Sequence, residues 1–222
     1  MKKIFLIAII IIILIFLIFF SKTIIKIIKK GNNMNNKSLE EITEYILNIN
    51  SYEAEAEIKV KSNKTENSYK LKQKFIRNEN VFKQEIMAPE NIKGLTTTFD
   101  GTNLRVLNTK LNLNKFFENY NYIGSNDLSL IQFIEDFNEA EGKTNTEKNG
   151  QIILEAKIKN GNKYRAIKKL YIDKASATPL KLEIQDITQN TLVYILYNEI
   201  KINNLQKDDV IAFKLMNINE DI

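Results

Sequence analysis

"YEAEAEIKVK", Tyr52 to Lys61, is the stretch that decides the fold class. Tyr52, Ala54, Ala56, Ile58 and Val60 fall on one side of an extended chain, and Glu53, Glu55, Glu57, Lys59 and Lys61 on the other. A period of two with one apolar and one charged face predicts a strand that is buried on one side and wet on the other. The three alternating glutamates raise the question of a cation site. Beside Lys59 and Lys61 they read instead as a solvated face.

Working outward, "SNKTEN" is a polar turn, and Tyr69, Leu71, Gln73 and Phe75 alternate again before "NVFKQEIM". The economical arrangement is a meander of antiparallel hairpins. In "LTTTFDGTNLRVLN" the pair Asp100-Gly101 is the strongest short hairpin signal of the chain. Further strands are expected at "QIILEAKIK", "KYRAIKKLYID", "PLKLEIQD", "TLVYILYNEIKIN" and "DVIAFKLM", with turns at Asn160 to Asn162 and Asp186 to Asn190.

Two segments change to a helical period. "SLEEITEYILNI" opens with Ser38 and Glu41 in capping-box spacing and carries Leu39, Ile42, Ile46 and Ile49 on one face. In "SNDLSLIQFIEDFNEAEG", Ser125 or Asn126 is expected as the cap and Leu130, Ile131, Ile134 and Phe137 as the stripe. Gly142 is placed to end that helix, and Glu135-Asp136 is expected on its polar side. Helix, strands, helix, strands predicts an α+β domain: a curved antiparallel sheet, or half-open barrel, with helices on its concave face.

The chemistry available is limited. The chain has no His, Cys or Trp, which excludes Ser-His-Asp and Cys-His sites, thiol redox chemistry and a typical zinc site. None of its 7 glycines forms a dinucleotide or P-loop fingerprint. Neither Glu135-Asp136 nor Asp208-Asp209, expected at a strand start, shows a partner for a two-carboxylate hydrolase. No enzyme and no cofactor is expected. Tyr69, Phe75, Phe82, Phe99 and Tyr194 sit on alternating strands. They fill the sheet–helix core on one reading and line a cleft for an acyl chain on the other.

The chain starts with an apolar run, Ile4 to Phe20, of 17 residues without charge, Gly or Pro. It is long for a signal peptide, lacks a small-residue cleavage site, and suffices for a short span. Residues 1–30 therefore read as a retained membrane anchor, with Lys22, Lys26, Lys29 and Lys30 at the membrane interface. Residues 31–37 read as a polar linker and 38–222 as one domain. The lysine count around the run favours a cytoplasmic domain, whereas the short basic start favours export, which is the expectation adopted. Six of the 32 basic residues lie in 1–30, so the remainder carries 26 basic against 27 acidic residues. That near-neutral balance excludes a nucleic-acid partner despite a pI near 9.1.

"MAPENIKGLTTTFDGTNLRVLN", Met87 to Asn108, resembles a segment of the lipoprotein-carrier (LolA/LolB-like) superfamily, the likeness being carried by the turn formers Pro89, Gly94, Asp100 and Gly101. Within it the chain looks most like the clostridial germination lipoproteins of the GerS family. That resemblance implies a non-enzymatic envelope protein, outside the cytoplasmic membrane or in the spore envelope, that binds and supports a spore cortex or cell-wall amidase needed for germination. Lipoproteins of this kind attach through a cysteine, which this chain lacks, so a protein helix is expected in place of the lipid. The alternative is a lipid or lipoprotein carrier that uses the concave apolar side of the sheet. A sensory ectodomain is a third reading, disfavoured by the near absence of chain before the apolar run.

Overall fold

The computed structural model describes residues 37–62, 64–120 and 128–211. The chain from Leu39 to Ile222 is a compact unit by itself and contains every buried core residue described, so it holds what its own folding needs.

Among the described residues, eleven strands form one antiparallel sheet. They are β1 (Ser51–Lys61), β2 (Glu66–Ile76), β3 (Val81–Ala88), β4 (Thr96–Phe99), β5 (Leu104–Asn108), β6 (Leu113–Phe117), β7 (Lys143–Lys148), β8 (Gln151–Asn162), β9 (Arg165–Asp173), β10 (Thr178–Gln185) and β11 (Thr191–Ile202). The order is β6-β5-β4-β3-β2-β1-β11-β10-β9-β8-β7, so two meanders join where β1 meets β11. The sheet is open, with β6 and β7 at its edges. Helix α1 (Leu39–Leu47) packs on β7 and on α2 (Leu130–Glu139), and α2 packs on β8. A short α3 (Lys207–Ile211) packs against β3, β2 and β4.

The expected alternation of β1 is seen in its burial: Tyr52, Ala54, Ala56 and Ile58 are buried, while Glu53, Glu55 and Glu57 are not. The buried side, here the inner face, carries the main core with Ile42 and Ile46 of α1 and Leu130, Ile131, Phe133, Ile134 and Phe137 of α2. On the outer face, Val210 of α3 packs with Ile76 and Val81 in a smaller cluster.

The Asp100-Gly101 turn forms as its residues dictate. Asp100 Oδ1 accepts from the amides of Thr102 and Asn103 at 2.9 and 2.7 Å, and Gly101 takes φ +98° with its Cα side close to the Glu79 carbonyl. Pro89 opens a single 3-10 turn, Glu90–Ile92, and Gly94 has φ +82°.

Several expectations are corrected. Helix α2 is capped by Ser129, whose hydroxyl accepts from Gln132 N at 3.0 Å; Ser125 and Asn126 lie outside the described residues. Gly142 does not end it, since Ala140 is the C-cap. "DVIAFKLM" does not open as a strand: Asp208 and Asp209 sit in the first turn of α3, and Asp209 Oδ2 accepts from Gln206 N at 2.8 Å. The turn expected at Asn160 to Asn162 comes later, because β8 runs to Asn162 and Asn162 Oδ1 caps the amides of Tyr164 and Arg165.

The transmembrane helix is also corrected. Among the described residues no helix is long and apolar enough to cross a membrane. Residues 1–30, with Lys22, Lys26, Lys29 and Lys30, lie outside the described residues. Single-pass anchorage, the membrane as a partner, a location at the cell membrane, and the anchored amidase-supporting role built on them are therefore set aside.

Candidate functional site

Strand register assembles the inner face between β1 and β6 row by row. Tyr52 stands opposite Phe75, Phe75 opposite Phe82, Phe82 opposite Phe99, and Phe99 opposite Leu104. The four rings follow one another with centroids 5.2, 5.3 and 5.7 Å apart, and all four residues are buried. Offset stacking of this kind adds to what area burial alone supplies. The Tyr52 hydroxyl donates to Gln73 Oε1 at 3.2 Å and accepts from Leu130 N at 3.3 Å, which ties the start of α2 to this row. Burial holds the Tyr52 hydroxyl well above its ordinary pKa, so it is a neutral donor across the physiological range.

Of the residues expected to line an acyl cleft, Phe75, Phe82 and Phe99 are therefore in one buried row. Tyr69 lies on the same face three rows further along, opposite Ile58. Tyr194 does not join them. A bulge between Glu55 and Ala56 in the β1–β11 pairing brings Tyr197, Ile195 and Val193 to the inner face, and Tyr194 points outward opposite Lys59. There Lys181 Nζ lies over the rings of Tyr171 and Tyr194, 3.7 and 5.2 Å from their centroids, and pairs with Glu183 at 2.8 Å. The Tyr171 hydroxyl donates to Glu183 Oε2 at 3.2 Å, and burial together with that carboxylate pushes its pKa up to about 12.

Next to the aromatic row lie Ala54, Gln73, Gln84, Thr97 and Val106, paired in that order across β1 to β5. Leu71 and Ile86, a pair, come next. Tyr69, Ile86, Thr97 and Val106 are only half-buried. Gln73 is satisfied, donating from Nε2 to the Leu128 carbonyl at 3.2 Å. Gln84 Nε2 is buried and has no hydrogen-bond partner among the described residues. A buried amide donor without an acceptor costs about 1–3 kcal/mol. This side-by-side arrangement of half-buried apolar groups and one orphan donor was not foreseen, since it exists only once the strands are in register.

The opposite face offers a different surface. A groove of about 440 Å³ is lined by Glu53, Glu55, Glu85 and Glu199 interleaved with Lys72, Lys74, Lys83 and Lys201. Its charges largely answer one another: Lys201 pairs with Glu53 at 3.1 Å, Lys74 with Glu53 at 3.8 Å and Lys72 with Glu55 at 3.2 Å. Glu57 in turn pairs with Lys59 at 3.4 Å. The three alternating glutamates are thus each matched by a lysine, and no group of three or more ligating side chains able to hold a metal occurs among the described residues.

Hydrogen bonding from Lys201 holds the Glu53 carboxyl below its ordinary pKa against the opposing effect of burial, with Asn204 and Lys74 assisting. A depressed carboxylate pKa stabilises the fold above the unfolded value, about 4.3, and that contribution disappears as pH falls through the lower folded value. Glu53→Gln should therefore lower stability at pH 7 by at most about 1 kcal/mol, as expected for a partly exposed pair. Thermal melts of the two proteins should converge in acid.

Comparison with known proteins follows the fold. An uncharacterised conserved protein from Thermus thermophilus is similar over 78% of this chain and 93% of its own, with 15% identity and a TM-score of 0.47. The structure of the CwlD amidase of Clostridioides difficile with the GerS lipoprotein is similar over 75% and 92%, at 23% identity and a TM-score of 0.42. A LolA superfamily protein from Nitrosomonas europaea is similar over 78% and 97%, at 13% identity and a TM-score of 0.40. Neither a superfamily nor a residue role is taken from these likenesses. No curated protein matches the chain. The family model for sporulation protein YdcC-like proteins spans residues 2–210, so the chain belongs to the sporulation protein YdcC-like family.

Proposed function

We propose that this domain is a binding module that acts in sporulation without catalysing a reaction, and that it takes the acyl chain of a lipid or lipoprotein on its inner face. The observation that carries the reading is the patch formed by Tyr69, Leu71, Ile86 and Val106 beside the orphan Gln84 Nε2. An acyl chain would cover the half-buried apolar side chains, and an ester or amide carbonyl at its end would give Gln84 its missing acceptor. Phe75, Phe82 and Phe99 form the floor that holds this patch in shape. The finer likeness to GerS-type lipoproteins rests on turn formers, which support a shared fold and bring no partner with them.

The test uses the segment from Lys37 to Ile222 and cis-parinaric acid, a fluorescent fatty acid. The unaltered segment should bind it with a rise in fluorescence. Ile86→Asp should weaken binding about tenfold or more, because a carboxylate would have to be desolvated under the chain. Lys83→Gln, on the outer face, should leave binding unchanged. Absence of binding to the unaltered segment, or equal weakening by both substitutions, would contradict the reading.

A further inference from the structure

The two edges of the sheet are built differently. Strand β7 has the sequence KTNTEK and is exposed along its length, with charged residues at both ends. That composition discourages pairing with another chain. Strand β6 has the sequence LNKFF, and its Phe116 and Phe117 are 53% and 44% exposed. Leu111 and Tyr120 beside it are exposed as well, and the Tyr120 ring packs on Phe117 with centroids 5.9 Å apart. Among the described residues β6 pairs with β5 alone, so its other side presents unpaired backbone donors and acceptors flanked by aromatic rings on both faces.

From this edge we propose that β6 is a self-association surface, and that its occupant is β6 of a second copy of this chain, antiparallel about a two-fold axis at Phe116. Pairing with β5 sets Phe117 opposite the inner-face Leu104 and Phe116 opposite the outer-face Arg105. Leu113, Lys115 and Phe117 therefore project inward, and Asn114 and Phe116 lie on the other side. The pleat admits only registers that keep these sets apart. A two-fold at Lys115 would oppose Lys115 to its own copy, and like charges directly opposite are destabilising. A two-fold at Phe117 would leave Phe117 alone paired within the strand, because β6 ends there. A two-fold at Phe116 stacks the two Phe116 rings and sets each Lys115 against a Phe117 ring. It therefore joins an aromatic pair with two cation–ring contacts and no like-charge contact. Such an isologous contact closes on itself and yields a dimer with no growing filament.

The chain contains no cysteine, so introduced cysteines report position without background. In the segment from Lys37 to Ile222, Phe116→Cys should oxidise to a covalent dimer. A mixture of Lys115→Cys and Phe117→Cys should cross-link between the two variants several-fold more than either does alone. Asn114→Cys and, on the other edge, Thr146→Cys should stay monomeric. Phe116→Lys should halve the mass measured by light scattering and leave the thermal melt of the fold in place. A monomeric unaltered segment at high micromolar concentration would overturn the proposal, as would equal cross-linking at positions 114, 116 and 146. So would a dimer that survives Phe116→Lys.

Discussion

Phe75→Ala is expected to lower the melting temperature of the domain by roughly 10 °C. The Phe75 side chain is 6% exposed and lies between the rings of Tyr52 and Phe82, at 5.2 and 5.3 Å. Truncating a buried Phe removes its transfer free energy and leaves a cavity that the neighbours fill only in part, a loss of about 3–5 kcal/mol. The surroundings make collapse difficult here. Tyr52 is fixed by its bonds to Gln73 and Leu130, and Phe82 is held between Phe75 and Phe99. In a domain of this size each kcal/mol moves the midpoint by roughly 2–4 °C. Ile187→Ala, at a 65% exposed position, is the control and should shift the midpoint by little more than about 1 °C. Equal effects of the two substitutions in thermal melts would deny the aromatic row its structural weight.

Asp136→Ala is expected to destabilise by a similar amount for a different reason. Lys168 lies on β9 in the inward row with Leu170 and Ile172 and is fully buried, and its ammonium donates to Asp136 Oδ2 at 2.5 Å. Asp136 is held from its other oxygen by Gln132 Nε2 at 3.1 Å. Removing the carboxylate leaves a desolvated ammonium without that counter-charge, a loss of about 3–5 kcal/mol. Replacing both partners by apolar groups of similar size removes the desolvation cost of both ions. Asp136→Leu with Lys168→Met should therefore come within about 1 kcal/mol of the original or exceed it. Chemical denaturation of the single and double variants gives the comparison. A double variant as unstable as Asp136→Ala would mean that the pair contributes more than the charges it neutralises.

These residues also show how far the sequence could be read. The alternation of β1, the Asp100-Gly101 turn and the apolar stripes of α1 and α2 are local patterns, and each is found where its period or turn chemistry predicts. The cap of α2 was misplaced because Ser125, Asn126 and Ser129 are all good caps within five residues. Only packing decides among them: starting at Leu130 turns Phe133 as well as Ile134 and Phe137 into the core. The Asp136–Lys168 pair spans 32 positions, and nothing local indicates that β9 passes beneath α2. A lysine in an inward strand position was still a signal, since a buried ammonium requires an acceptor. The separation of Tyr194 from Tyr69 was illegible for a sharper reason. One bulge inverts which alternate residues of β11 face inward, and a bulge leaves no regular mark on hydrophobic periodicity.

The stretch that decided the fold also frames the function. Its apolar side, Tyr52 to Ile58, opens into the patch where Gln84 lacks an acceptor, and its charged side is matched lysine by lysine. A ligand of apolar character therefore has one face to choose.

The measurement that tests this most directly uses the absence of tryptophan from the chain. Ile86→Trp places a single indole on the inner face, and Lys72→Trp places one on the outer face. Each segment from Lys37 to Ile222 is titrated with 9,10-dibromostearic acid, whose bromines quench indole at contact distance. The account predicts saturable quenching at position 86 and none above background at position 72. Quenching at position 72 alone, or at neither position, would contradict it.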